Sequence, residues 1–144
     1  MLCRSHILAF VICVLEGGGN EWLTTNNENL TRVTALLDQV VPGGGTNLER
    51  AFRQIHNLSP APDNVIVLTD GLPTRGDSVA LPSSQVSGSD RLRALEMAER
   101  AIPSNVPVNV ILFYLEGDPD ASSSYWALAS RRGGSFFSPA GSWP

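Results

Sequence analysis

Two spacings of apolar residues divide this chain into strands and helices. Ile7 to Leu15 (ILAFVICVL) is an unbroken apolar run that stops at Glu16 and Gly17-Gly18-Gly19, as a buried parallel strand ending in a glycine turn would. A polar stretch with Trp22 and Leu23 follows and reads as a short edge strand. From Asn27 the spacing is helical: Leu30, Val33, Leu36, Leu37, Val40 and Val41 share a face until Pro42 and Gly43-Gly44-Gly45. A second helix opens at Thr46, with Leu48, Ala51, Phe52, Ile55 and Leu58 as its stripe, and breaks at Ser59-Pro60-Ala61-Pro62-Asp63. Val65-Ile66-Val67-Leu68 is again a continuous run, read as a strand covered on both faces, and it ends in Thr69-Asp70-Gly71. Residues 72–89 have no period and form a long loop at that strand's end. Asp90 is the expected cap of a third helix (Leu92, Leu95, Ala98, Ala101, Ile102), with Glu96 and Arg100 paired at i, i+4. Val108 to Leu115 is the next strand. Gly117-Asp118-Pro119-Asp120 is a polar turn with both carboxylates expected in solvent. Ser122 to Arg132 is a fourth helix, and Ser135-Phe136-Phe137 a closing strand.

Apolar strands alternating with amphipathic helices predict an α/β fold: a three-layer α/β/α, Rossmann-like sandwich around a mainly parallel sheet. The 144 residues are the size of one domain. With 42% hydrophobic and 17% charged residues, the composition is that of a folded core. A net charge of −4 argues against a nucleic-acid surface. All ten basic residues are arginine, which removes a Walker-type phosphate loop, a Schiff base and a lysine base from consideration. Cys3 and Cys13 lie ten positions apart, roughly 33 Å along a strand, so they are read as free thiols. The run at 7–15 is too short to span a bilayer. It stands behind Arg4 and His6 as in a secretory signal, but no small-residue cleavage site follows, and the strand reading is preferred. Compartment stays open.

In an open parallel sheet, ligands bind outside the carboxyl ends of the strands. Two segments are expected there: the glycine loop Pro42 to Leu48, and Leu68-Thr69-Asp70-Gly71. A Thr46 hydroxyl and an Asp70 carboxylate suit a hard cation such as Mg²⁺, with the glycines letting backbone approach. Each element also has a plain reading. Thr46 with Glu49 makes a capping box, Asp70-Gly71 is an ordinary turn, and the glycine loop at a helix start could instead cradle a phosphate. Catalysis has no constellation to run on. There is no G-x-S-x-G elbow and no G-x-G-x-x-G fingerprint, and His6 and His56 read as structural.

Taken together, GGGTNLERAF followed by NVIVLTDGLPT resembles the second and third metal-site loops of the von Willebrand factor type A family. VPVNVILFYL, the helix with Tyr125 and Trp126, and GGSFF are similar to its closing strand, helix and strand, so the resemblance covers about residues 26–138. It implies a non-catalytic protein-recognition module. In that family a loop threonine and a strand-end aspartate, matched here by Thr46 and Asp70, join a DxSxS motif around Mg²⁺, and a partner carboxylate completes the shell. Gly43, Gly44, Gly45, Asn47, Gly71 and Thr74 would line the partner surface. DxSxS does not occur in this chain. The family's first strand and helix have no counterpart, so the domain reads as amino-terminally truncated unless Ile7 to Leu15 takes the central place. The expected metal site is therefore incomplete. The alternatives are a phosphate- or small-ligand-binding domain using residues 43–47, and a fragment that works only within a larger chain.

Overall fold

β-Branched residues fit a pleated surface, and they fill the two runs that pair as β1 (Val65–Thr69) and β2 (Val108–Leu112). The computed structural model describes residues 22–39, 45–78, 86–113 and 118–139. Within them the remaining elements are α1 (Asn27–Leu37), α2 (Leu48–Ile55), α3 (Gly88–Arg100), α4 (Ala121–Arg131) and β3 (Phe136–Phe137). The architecture is α/β with a small open sheet in the order β1-β2-β3. Both pairings are parallel, Val65 to Thr69 against Val108 to Leu112, and Val110 and Ile111 against Phe136 and Phe137.

The two-residue period of the strands separates the faces of this sheet. Val67, Val108, Val110 and Leu112 point into one cluster with Phe52 and Ile55 of α2, Leu95 and Ala98 of α3, and Tyr125, Leu128 and Ala129 of α4. Each fully buried Leu, Val or Phe there contributes about 1.5–3 kcal/mol. The opposite face is a correction to the expectation of strands covered on both sides. Ile66 (43%), Leu68 (65%), Phe113 (49%) and Phe137 (47%) are exposed. An apolar run alone therefore did not mean two buried faces. Val33 of α1 is buried, but it is not among the described members of that cluster.

The helix starts also differ from expectation. α2 is capped by Asn47, whose Oδ1 accepts from Arg50 N–H at 2.9 Å, so the Thr46–Glu49 capping box does not form. Ser87, not Asp90, caps α3: its Oγ accepts from Asp90 N–H at 3.2 Å and donates to Asp90 Oδ2 at 2.7 Å. At α3 Asp90 is already inside the helix and the non-helical Ser87 caps; at α2 Thr46 and Asn47 both precede the helix, and Asn47, directly before Leu48, caps. The Glu96–Arg100 pair gives way to a tertiary one, Arg131 of α4 on Glu99 of α3 at 2.7 Å. The strand at 7–15, Cys3, Cys13, His6, Gly43, Gly44, residues 79–85 of the long loop and the 114–117 end of the expected strand lie outside the described residues. Among the described residues, no helix is long and apolar enough to cross a membrane.

After α4 the chain turns through Gly133, at φ 67°, into Gly134, where a Cβ would overlap the Val108 carbonyl. Gly134→Ala should thus push β3 off β2 and cost about 1–3 kcal/mol, the range for forcing atoms into a packed site. Gly133→Ala, which meets only the left-handed backbone penalty, should cost about 1–2 kcal/mol. Urea unfolding of the two variants checks that Gly134→Ala is the more damaging.

Candidate functional site

The carboxyl end of β1 releases the chain at Asp70, which is exposed, and then pulls it back inward through Gly71, Leu72 and Pro73, which are buried. Polar groups from three other elements hold that turn. Tyr125 of α4 donates its hydroxyl to Gly71 O at 2.9 Å. Leu72 N–H donates to Asp118 Oδ2 at 2.7 Å, and Arg91 of α3 donates to the same oxygen and to Leu72 O, each at 2.7 Å. A Cβ at Gly71 would stand 2.7 Å from Asp118 Oδ2, so only glycine leaves room for this carboxylate. Burial pushes the Tyr125 phenol up to about 12, helped by the negative charge of Asp118 and offset in part by its hydrogen bond with Thr69. Asp118 is 7% exposed, which corrects the expectation that it faces solvent. Asp120, two residues on, is exposed as expected.

The segment before α2 is laced to the same loop through main chain. Thr46 O accepts from Thr74 N–H at 3.1 Å and from Arg75 N–H at 3.0 Å, while Thr46 N–H donates to Thr74 Oγ1 at 3.0 Å. A Cβ at Gly45 would come within 2.6 Å of Thr74 Oγ1. Asn47 Nδ2 donates to Asp77 Oδ1 at 2.8 Å, and Arg50 donates to the same carboxylate at 2.9 Å. Of the expected site residues, Gly45, Thr46, Asn47 and Thr74 thus come together, with Asp70 and Gly71 at the root of the same loop. The Thr46 side chain is exposed, like that of Asp70.

A residue that sequence reasoning gave to a capping box anchors this loop again at Asp77 and Ser78. Glu49 is 2% exposed, and its Oε2 accepts from the Asp77 and Ser78 N–H groups, each at 2.9 Å. Its Oε1 receives the Ser78 hydroxyl and Arg53. Burial alone would raise the Glu49 carboxyl. The hydrogen bonds from the Ser78 side chain and backbone and from Arg53 outweigh it and hold the group below its ordinary value. Asp77 is also held low, first by its hydrogen bond from Arg50 and then by that from Asn47. The available signal was the position of Glu49 three residues before Phe52, on the flank of the buried stripe. Arg91 and Asp118 carried no such signal, because they meet across 27 residues.

These groups tie the two loops together into a rim at the carboxyl end of β1. Among the described residues, no group of three or more His, Cys, Asp or Glu side chains is arranged to hold a metal ion. His56 sits at the end of α2 with Nε2 2.9 Å from Ala101 O, away from the rim's carboxylates. No family model, no curated protein and no solved structure matches the chain.

The Glu49 clamp gives a pH signature. A carboxylate held low in the fold stabilises it fully above the ordinary value of 4.5, and that stability is lost as pH falls through the lowered value. Glu49→Gln should therefore lose about 1–3 kcal/mol at pH 7 and show a flatter decline between about pH 5 and pH 3 than the parent chain. Thermal melts across that range decide it, and parallel declines would remove Glu49 as the acid-sensitive group.

Proposed function

We propose that this chain is a non-catalytic protein-recognition domain of the von Willebrand factor type A class. In this reading its partner, a protein rather than a nucleic acid, docks on the carboxyl-end rim, and the sheet belongs to a three-layer sandwich. The observation that carries the reading is the lacing of Thr46 to Thr74 and Arg75, which fixes two loops side by side while their outward groups stay exposed. Loops held rigidly on a sheet end are where binding surfaces are commonly built. The net charge of −4 and the absence of lysine are consistent with a partner that is not a polyanion.

Resident Mg²⁺ fits this donor set poorly. Thr46 offers one exposed hydroxyl and Asp70 one carboxylate, whereas Mg²⁺ asks for near-octahedral oxygen ligands. The Thr46 main-chain oxygen already accepts two N–H groups. The rim is thus a degenerate form of a metal-dependent site, and recognition runs through its own side chains. The phosphate-cradle alternative gains nothing here, because the Asn47 side chain already caps α2 and the Thr46 N–H is donated to Thr74.

Two measurements test this reading. A thermal melt in millimolar Mg²⁺ should match the melt in EDTA. A site saturated 100-fold over its Kd would add about 2.7 kcal/mol, several degrees for a chain of this size, and that outcome would reinstate a working metal site. A photocrosslinker placed at Thr46 should trap a protein partner, and Asp70→Arg should abolish the trapping without lowering the melt. Equal trapping from Ser104, at the other end of the sheet, would remove the rim as the binding surface.

A further inference from the structure

The stretch Thr74-Arg75-Gly76-Asp77-Ser78 sets a cation and a carboxylate two positions apart, with a glycine between them. Its backbone is pinned on both flanks. Thr46 O accepts from the Thr74 and Arg75 N–H groups, and Glu49 Oε2 accepts from those of Asp77 and Ser78. Gly76 is the tip between these anchors, and the Arg75 and Asp77 Cα atoms stand at most about 7 Å apart. Arg75 and Asp77 are both exposed. Among the described residues, none pairs with the Arg75 guanidinium.

We infer that Arg75-Gly76-Asp77 is a ligand tip for a receptor protein that holds a divalent cation for the Asp77 carboxylate beside an acidic pocket for the Arg75 guanidinium. This rests on the reading of the rim as a docking surface, and it turns the rim from metal holder into carboxylate donor. Asp77 is engaged only in part. Its Oδ1 accepts from Asn47 Nδ2 at 2.8 Å and from Arg50 at 2.9 Å, while Oδ2 accepts from Arg50 Nε at 3.3 Å. The hydrogen bonds from Arg50 and then from Asn47 keep the group ionised. A carboxylate has about four acceptor sites, so one remains on Oδ2. A single site suits a metal ion, which takes one oxygen, whereas a further guanidinium would use both oxygens at once. The Arg50 side chain is 71% exposed, so its pair with Asp77 is screened by water and yields to an incoming cation. The unpaired Arg75 guanidinium calls for a carboxylate on the partner, and two opposite charges side by side fix the orientation of docking.

The probe is an adhesion-receptor ectodomain chosen because it binds the free pentapeptide of residues 74–78 in millimolar Mn²⁺ and releases it in EDTA. The immobilised full chain should bind this receptor at least about tenfold more tightly than the peptide does, because a pinned tip has less freedom to lose. EDTA should abolish the binding. Arg75→Ala should weaken it about tenfold or more while leaving the thermal melt in place, and Asp77→Asn should weaken it about 100-fold or more. Glu49→Gln, which loosens one anchor, should bring the affinity down toward that of the peptide. A chain that does not bind, binding that survives EDTA, or binding that Arg75→Ala leaves unchanged overturns the inference. If a crosslinker at Thr46 then still traps a protein, the docking rim stands and only this assignment of its partner falls. Should Asp77→Asn lower the melt, Arg75→Ala decides alone.

Discussion

Among the described residues, β1, β3 and the helices α2, α3 and α4 take their positions from the buried face of β2. Val108, Val110 and Leu112 are 0–1% exposed, and β2 has a parallel neighbour on each side. Parallel strands cannot be joined by tight turns, so the chain must leave and return between β1, β2 and β3, and it does so through α3 and α4. The side chains of those helices, with Phe52 and Ile55 of α2, close over the same three β2 residues. The other faces and edges are arranged around that central seal.

Two buried carboxylates extend the order of the core into the loop after β1. Asp118 holds the turn at Leu72 by accepting from its N–H and from Arg91, and Glu49 holds the loop again at Asp77 and Ser78. A buried charge is tolerated when its lone pairs are used: both oxygens of Glu49 accept from backbone N–H groups, a hydroxyl or a guanidinium, and Oδ2 of Asp118 accepts from a backbone N–H and a guanidinium. The outcome is that the described stretch of this loop, from Asp70 to Ser78, is tied to the framework at both Leu72 and Ser78. Thr46, through its main chain, joins the middle of that loop to the start of α2.

Periodicity was a reliable guide to where the elements lie, because it reports the side of a helix or strand that meets the core. The four helices and the strands at Val65, Val108 and Phe136 fall where the apolar spacing places them, whereas Trp22 and Leu23, read as a short edge strand, belong to no strand. Local chemistry was less legible. Thr46 and Asp90 are good capping residues in good places, yet Asn47 and Ser87, each directly before the first helical residue, do the capping. Tertiary facts were not legible at all. Asp118 and Arg91 are 27 residues apart and Glu49 and Ser78 are 29 apart; the flank of the buried stripe hints that Glu49 is covered, but nothing local names its partner. The run Val65 to Leu68 looked evenly apolar, and only the three-dimensional arrangement distinguishes inward Val67 from outward Ile66 and Leu68. Of the candidate site, the approach of Thr46 to Thr74 became visible only in three dimensions.

The bonds that shape the rim run mainly through main chain and through side chains that point away from its surface. Thr46 is tied by its amide and carbonyl, and the anchoring carboxylates of Glu49 and Asp118 are buried below it. The exposed side chains at positions 46, 70 and 75 are consequently free of scaffolding duty. Such a surface can change its chemical character position by position while its contour stays the same. In the language of protein engineering it is a display platform, suited to randomisation at those three positions for selection against a new target.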